Sequence, residues 1–557
     1  MRQLQTLVLV FVLIFGYACK ENKEVKKEDI VLWEAYNDSA EVAANADHEV
    51  ARMRYKLIQS KVLDKNEVFL PLYNEVSQFS EADYKELKPL ILEQNIPTIQ
   101  KAVKDGKLNY ERLSLFYLYR IYKYELDNTT TLNTVIALNE NVLLEARALD
   151  KEYKANPNTN RHPLFGMPIL LKDNINTAGM NTTAGAIALK ENTVDDAFIV
   201  QQLKAKKALI LGKVNLSEWA YFLCSGCPVG YSAVGGQTLN PYGRRIFETG
   251  GSSSGSGTAI AANYAVAAVG TETSGSILSP SSQNSVVGLK PTIGLLSRTG
   301  IVPISSTLDT PGPMTKNVID NRILLSAMTG KDNKDPMSVV ATTDFSTPSA
   351  SSLKGKRFGV FKGLMESDSI YKATVAKIQE NGAEIIAFTP PEVNMQGFLS
   401  ILNIDMKNDL PSYLKTHTNR DKVNITSIAD AVAFNAKDTL VRIPYGQALF
   451  EGILNDSTTA EGLIEIKERL QANGRTYFDT ALDTHNLDAI LSINNYHAGF
   501  AAVAKYPALT VPMGYKTTGE PISLTFIGKQ FQEQALLQLG EAFENENRVR
   551  KAPKDYN

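Results

Sequence analysis

The sequence predicts an α/β protein in which helices cover a mixed β-sheet, preceded by a helical extension. Short apolar runs at residues 168–171 and 208–211 are typical of buried strands. Further along, strand-like runs at 353–360 and 383–388 flank a helical segment at 370–381, which makes a β-α-β pattern. With 557 residues and 43% hydrophobic composition, the chain is long enough to bury a sizeable core.

Residues 1–19 have the organisation of a lipoprotein-type signal peptide. Arg2 supplies a positive charge, residues 7–15 are apolar but too short to span a membrane comfortably, and residues 16–19 resemble a lipobox that ends at Cys19. We therefore expect a bacterial cell-envelope protein that is lipid-anchored through Cys19, with a soluble secreted form as the alternative.

A charged tether and helical extension follows at residues 20–95. Its apolar positions, such as Met53, Tyr55 and Leu57, are irregularly spaced. Irregular apolar stripes are more typical of packing than of recognition, so we expect a helical layer over the rest of the chain. A lid or a partner surface is the alternative.

From residue 96 to 151 the pattern predicts two or three helices, including 113–126 and 140–149. The strand at 168–171 then leads to Lys172. A Lys after an apolar run is usually a solvated strand end, but here Asp173 and Asn174 offer it hydrogen-bond partners.

The stretch 250–277 is rich in Gly and Ser at both ends and encloses an apolar run at 259–269, which we expect to be helical. A Gly/Ser cluster is usually a flexible linker, yet one that leads into an apolar helix is better explained as an ordered loop in the core. Such a loop suits nucleophilic chemistry, because glycine lets the backbone approach a substrate and serine carries a hydroxyl.

Two interpretations of these serines compete. Residues 251–255 fit the G-x-S-x-G elbow of an α/β-hydrolase, with Ser253 as nucleophile. That motif needs a strand directly before it, and residues 244–249 make a poor buried strand.

The second interpretation uses a larger set of motifs. Together they resemble the amidase signature family over residues 96–557, more weakly between 343 and 486, and the runs that carry the resemblance are 166–175, 250–253, 270–277, 287–292, 303–306 and 309–314. The resemblance implies the fold of that family and a catalytic domain at 96–557.

The family works through a Ser-cisSer-Lys triad. Matched position by position, Ser276 is the nucleophile, Ser252 the serine after a cis peptide bond, and Lys172 the base. These roles make physical sense, because burial favours the neutral amine of a Lys, which then activates a serine. The backbone N–H groups of Thr273, Ser274, Gly275 and Ser276 would form the oxyanion hole.

Three positions depart from the usual family pattern. Glu272 replaces an Asp, Ser274 replaces the first Gly of the nucleophile motif, and Leu278 stands where an Arg is common. These changes resemble the branch that includes peptide amidases.

We expect no cofactor, metal or nucleotide. The five His are scattered, and neither a zinc motif nor a phosphate loop is present. Lone residues such as His485 and His497 are more often structural than catalytic. Cys224 and Cys227 form a C-x-x-C pair that we interpret as loop residues, open to a disulfide in an oxidising compartment.

The sequence therefore predicts an amidase that hydrolyses a small-molecule or peptide amide to a carboxylate and ammonia or an amine. Alternatives are an amidotransferase A-type subunit, a fatty-acid amide hydrolase, and a catalytically dead binding lipoprotein. The net charge of -2 argues against a nucleic-acid partner. The membrane is expected to be a partner only through Cys19, and the oligomeric state is left open.

Overall fold

The computed structural model describes residues 31–345 and 352–557. The predictions for the signal peptide, for Cys19 and for residues 20–29 of the tether lie outside the described residues. The fold prediction is confirmed: helices flank one large mixed sheet of 11 strands, and a second sheet has 2 strands.

The strands of the described chain are β1 Val135–Leu138, β2 Pro168–Lys172, β3 Leu209–Val214, β4 Tyr231–Ser232, β5 Gly236–Gln237, β6 Ala267–Glu272, β7 Val287–Lys290, β8 Thr310–Thr315, β9 Arg357–Phe361, β10 Glu384–Phe388, β11 Ala489–Ile493, β12 Ala508–Tyr515 and β13 Pro521–Ile527. The order in the large sheet is β1-β3-β2-β6-β8-β7-β12-β13-β11-β9-β10.

The helices of the described chain are α1 Ser39–Ala44, α2 Lys65–Val76, α3 Glu81–Ile91, α4 Ile96–Lys104, α5 Tyr110–Glu125, α6 Val142–Ala155, α7 Phe198–Ala205, α8 Glu218–Tyr221, α9 Ser254–Ala261, α10 Leu278–Gln283, α11 Val318–Met328, α12 Lys362–Ser367, α13 Ser369–Glu380, α14 Phe398–Thr416, α15 Ile428–Ala436, α16 Thr439–Arg442, α17 Ala448–Asn455, α18 Ala460–Thr484, α19 Ala498–Ala504 and α20 Glu533–Glu546. None of these helices is long and apolar enough to cross a membrane.

The sheet brings the ends of three neighbouring strands together. β2 and β6 are parallel, with Leu171 opposite Val269, so their carboxyl ends reach the same edge of the sheet. β8 runs antiparallel to β6, with Thr310 opposite Glu272, so its first residues reach that edge too. Lys172, the loop after β6 and the segment before β8 therefore converge at one edge.

The N-terminal extension is part of the main core. Its buried side chains join the apolar cluster that also contains the β2 and β6 side chains, and they include Phe69, Leu72, Val76, Tyr84, Leu87 and Ile91. The irregular segment before α2 is also fixed to the sheet domain, because Gln237 N–H and the Asn133 amide both donate to the carbonyl of Ile58. The extension packs as a helical layer on the sheet domain.

Three predicted elements differ in the structure. The apolar run 259–269 is not one helix, because α9 ends at Ala261 and β6 begins at Ala267. The four-residue strand β1 lies between the helices predicted at 113–126 and 140–149, where no strand was expected. The strand predicted at 353–360 begins only at Arg357.

A second, mainly helical core covers the same edge of the sheet. It is built from apolar side chains of α14, α15, α17 and α18, including Ile401, Leu414, Phe450 and Leu470. Val302 and Leu308, from the segment before β8, also belong to this core. The helical layer therefore adjoins the point where the strand ends converge.

Candidate active site

Lys172 is the last residue of β2 and is fully buried. Its Nζ lies 2.8 Å from Ser252 Oγ and 2.8 Å from Thr271 Oγ1. Nζ also donates to the Thr271 carbonyl at 3.2 Å. The Lys is thus held between a loop serine and the end of β6.

Burial lowers the pKa of Lys172 to about 7, against the opposing effect of the nearby carboxylates Asp309 and Glu272. An enclosed ammonium loses its hydration, which favours the neutral amine. A neutral amine has two N–H groups and one lone pair. Three oxygens lie within hydrogen-bond distance of Nζ, namely Ser252 Oγ and the two oxygens of Thr271. When the neutral amine donates both N–H groups to Thr271, its lone pair is left for the hydroxyl proton of Ser252.

The predicted partners of Lys172 were wrong. The Asp173 carboxylate pairs instead with buried Lys213, at 3.0 Å, and accepts from the backbone of Thr183. The amide of Asn174 donates to Thr271 Oγ1 at 2.9 Å. Asn174 therefore acts on Lys172 only through Thr271.

The Gly/Ser loop places Ser252 beside the Lys. The peptide bond between Gly251 and Ser252 is cis, and Ser252 is fully buried. Ser253 lies at the N-terminus of α9, where its hydroxyl donates to the Thr271 carbonyl at 3.0 Å and accepts from the Thr271 N–H at 3.2 Å. Residues 238–252, directly before this serine, contain no strand. The elbow interpretation is therefore wrong, and Ser253 ties α9 to β6.

Ser276 lies in the loop between β6 and α10 and is partly exposed. The two serine loops are in contact, because Ser253 N–H donates to the Ser276 carbonyl at 3.1 Å. Among the described residues, none hydrogen-bonds to the Ser276 hydroxyl, so this hydroxyl is free.

Four successive N–H groups are free in the same loop. Within the described part of the chain, no group accepts from the N–H of Thr273, Ser274, Gly275 or Ser276. Gly275 has a φ of 94°, which turns the backbone sharply there. Unpaired backbone donors beside a hydroxyl are the arrangement that stabilises an oxyanion.

Two carboxylates hold the ends of this loop. Glu272 accepts from the N–H groups of Ile277 and Leu278 at 2.7 and 3.0 Å. Asp309 accepts from the Thr273 hydroxyl at 2.6 Å and from two backbone N–H groups of its own segment. Burial raises the pKa of Asp309 to about 6. The sequence motifs contained Thr271 and Asp309, but only the register of β6 with β2 and β8 reveals their contacts.

The other predicted polar groups lie elsewhere. Cys224 and Cys227 form a disulfide. The His497 ring stacks on Phe361, and the His485 carbonyl accepts from Arg357. In the two described segments, no three His, Cys, Asp or Glu side chains are grouped as metal ligands would be.

Comparisons with known proteins identify the family of this chain. Residues 116–492 match the Amidase family. A crystal structure of an amidase family protein from Bacillus anthracis str. Ames superposes with a TM-score of 0.84, at 38% identity, over 89% of this chain and all (100%) of that one. Native peptide amidase from Stenotrophomonas maltophilia gives a TM-score of 0.78 at 36% identity, over 83% of this chain and 98% of that one.

Curated relatives extend the comparison. A probable amidase of Arabidopsis thaliana is 35% identical over 83% of this chain and 92% of its own length. The A subunit of a glutamyl-tRNA(Gln) amidotransferase from Thermoanaerobacter pseudethanolicus is 28% identical over 82% of this chain and 97% of its own length.

The fold and the family similarity are those of an amide-hydrolysing enzyme. The chain belongs to the amidase family, as the sequence motifs predicted.

Proposed function

We propose that the enzyme hydrolyses a carboxamide through Ser276, with Ser252 and Lys172 as the proton relay. The observation that carries the proposal is the enclosed Lys172 Nζ, which lies 2.8 Å from Ser252 Oγ and within hydrogen-bond distance of both oxygens of Thr271. A lone pair aimed at one hydroxyl is what a general base requires.

In the first half of the reaction, Ser276 Oγ attacks the carbonyl carbon and a C–O bond forms. The Ser276 proton passes to Ser252, and the Ser252 proton passes to Lys172. The free N–H groups of residues 273–276 accept the developing negative charge, a contribution of roughly 10²- to 10³-fold per donor in comparable sites. The protonated Lys172 then returns a proton through Ser252 to the leaving nitrogen, and the C–N bond breaks.

In the second half, water attacks the acyl-enzyme and loses its proton along the same relay, which releases the carboxylate and restores Ser276. A single base therefore serves both halves, and the site needs no histidine. The absence of a catalytic role for His485 and His497 is consistent with their contacts, because the His485 carbonyl accepts from Arg357 and the His497 ring stacks on Phe361.

We propose peptide amides as the substrate class, the leaving group being ammonia. The support is the similarity to native peptide amidase over nearly all (98%) of that chain. The test is ammonia release by residues 31–557 from C-terminally amidated peptides, simple aliphatic and aromatic amides, and glutamine. Release from peptide amides that is lost in Ser276→Ala supports the proposal, whereas peptide amides left intact while glutamine is hydrolysed would overturn it.

The second candidate function is an amidotransferase A-type subunit, which the 28% identical relative favours. Such a subunit would take ammonia from glutamine and act with partners. The signal-like residues 1–19 favour the peptide-amide assignment instead, because partner subunits for tRNA work in the cytoplasm. Glutaminase activity in the panel above separates the two candidates.

We further propose that the protein resides in the bacterial cell envelope, anchored through Cys19 or secreted. Support comes from the signal-like composition of residues 1–19 and from the disulfide between Cys224 and Cys227, since disulfides persist in oxidising compartments. Metabolic labelling of the full chain with a fatty acid tests the anchor. Label that is lost in Cys19→Ala supports the anchored form, and a full-length, unlabelled protein in the cytosol would contradict both forms.

A further inference from the structure

A cavity of about 330 Å³ lies one helix away from the nucleophile loop. Its walls come from α14, α18, α19 and the segment before β8, and its apolar lining includes Leu308, Ile401, Leu470 and Val503. Hydroxyl groups of Ser306 and Thr307 and the amide of Gln471 also line it. The cavity is large enough for an amino-acid side chain and offers both apolar and polar contacts.

Two of the three cations that line this cavity are paired with carboxylates outside its lining. Arg298 is neutralised by Asp335, with Nε 2.9 Å from Oδ2, and Lys467 is neutralised by Asp405 at 2.6 Å. Lys505, at the end of α19, forms no salt bridge with any described residue. Lys505 is therefore a half-buried cation without a salt-bridge partner among the described residues, and the exposed Glu468 is the one negative group in the same lining.

A further cation lies behind Lys505. Arg475 donates to the amide oxygen of Gln530 at 2.9 Å and has no carboxylate partner among the described residues. Burial, then Arg475, Arg298 and Lys467, lower the pKa of Lys505. An anion in the cavity would relieve this repulsion, because opposite charges within a few Å favour the charged Lys.

The cavity is connected to the reaction centre through α19 and Asp309. A Cβ placed on Gly275 would be 3.5 Å from Ala498 Cβ, so the first residue of α19 adjoins the free N–H groups. Lys505 directly follows the last of the 7 residues of this helix, so it lies about 10 Å from Ala498 along the helix axis. Another wall of the cavity contains Leu308, the residue before Asp309. Asp309 in turn accepts a hydrogen bond from the Thr273 hydroxyl. An extended peptide covers about 10 Å in three residues.

We propose that this cavity is a specificity subsite that binds a side-chain carboxylate of the substrate's acyl part, with Lys505 as the specificity-determining cation. The subsite rests on the proposed function, since it supposes a peptide-amide substrate at Ser276. It narrows the substrate class to peptide amides with Asp or Glu two or three residues before the amide.

The test compares tripeptide amides that carry Glu, Gln or Lys at each position in turn, with Ala elsewhere. For the wild type, kcat/KM is expected to be about three- to tenfold higher with Glu than with Gln at one of the two positions farthest from the amide, and lowest with Lys. Lys505→Gln should remove this preference, and Lys505→Glu should reverse it between the Glu and Lys peptides. Lys437→Gln, at an exposed surface Lys, is the matched control and should leave the preference unchanged.

Peptide amides that are cleaved without any preference for Glu would overturn the subsite and leave the proposed function standing. If no peptide amide is cleaved, the proposed function fails, and binding of the Glu and Gln peptides to Ser276→Ala decides about the subsite. Tighter binding of the Glu peptide that depends on Lys505 supports it, and equal binding overturns it.

Discussion

Lys172 has an amine whose surroundings define both its charge and its direction. Burial removes hydration from the ammonium, and the two oxygens of Thr271 fix the positions of the N–H groups. Asn174 in turn donates to Thr271. The base is thus oriented by a chain of hydrogen bonds that runs along the ends of β2 and β6.

This arrangement predicts the pH dependence of catalysis. Because the neutral amine is the active form and burial lowers the pKa of Lys172 to about 7, kcat/KM should rise about tenfold per pH unit below the pKa and level off above about pH 8. The profile is measured from about pH 5 to about 9 on a neutral peptide amide, with circular dichroism to verify the fold. A flat profile would exclude Lys172 as the base.

Lys172→Arg provides the control for this profile. A guanidinium stays protonated throughout the range, so the variant should be inactive at every pH although the positive charge is retained. Activity of Lys172→Arg that follows the wild-type profile would show that another group titrates.

At the scale of single residues, the sequence predicted which residues belong to the site better than it predicted which groups they contact. Lys172, Ser252 and Ser276 were singled out because they match motifs, and the structure brings their segments together. Asp173 was expected to contact Lys172 as its neighbour in the chain. Asp173 instead begins the turn after β2, which Ile175 N–H closes by donating to the Lys172 carbonyl, and its carboxylate pairs with Lys213 of β3.

The loop between β6 and α10 is the element that the site depends on. Glu272 and Asp309 hold its two ends, and Gly275 makes the turn that leaves its N–H groups free. A Cβ on Gly275 would lie 3.0 Å from the amide nitrogen of Asn495, at the start of the α19 region. Both the backbone angle and the available space therefore call for glycine.

Gly275→Ala is accordingly expected to lower kcat by about 10²-fold or more, because the loop must shift and misplace at least one oxyanion donor. Its stability cost should be about 1–2 kcal/mol for the left-handed backbone. Turnover and urea unfolding measure the two effects.

Gly519→Ala is the matched control. Gly519 has a similar φ of 90° but open space around its Cβ position, in the turn between β12 and β13. It should lose a similar amount of stability and keep its activity. If Gly275→Ala retains full turnover, the loop is not the oxyanion hole.

Among the elements, those with a strong local pattern were predicted well. β2 and α13 lie within a residue or two of their predicted bounds. The run 259–269 is apolar except for Asn263 because both α9 and β6 are buried on all sides, so hydrophobicity alone does not mark the change from helix to strand. β1 is only 4 residues long and pairs antiparallel with β3, a partner distant in sequence.

At the scale of the whole molecule, the N-terminal extension and the sheet share one core. Six apolar side chains of α2 and α3 are buried in it, namely Phe69, Leu72, Val76, Tyr84, Leu87 and Ile91. Each fully buried side chain of this kind contributes about 1.5–3 kcal/mol, and a domain has only about 5–15 kcal/mol of net stability. The extension is therefore required for the fold.

A truncation tests this requirement. The fragment 96–557 should be insoluble or molten, with no cooperative thermal transition, whereas 31–557 should unfold cooperatively and be active. Calorimetry and near-ultraviolet circular dichroism distinguish the two states. A fragment 96–557 with the melting temperature of 31–557 would mean that the extension is an independent cover. The irregular apolar spacing of these residues predicted packing, but their share in the core follows only from the tertiary contacts.

The central claim is that Ser276 is the nucleophile, activated through Ser252 by Lys172, and its most direct test is covalent labelling of residues 31–557 with a fluorophosphonate followed by peptide mapping. The probe should attach to Ser276 in the wild type and in Ser253→Ala, and labelling should disappear in Ser276→Ala and fall sharply in Lys172→Met. A label that persists in Ser276→Ala, or that maps to Ser253, would contradict the claim.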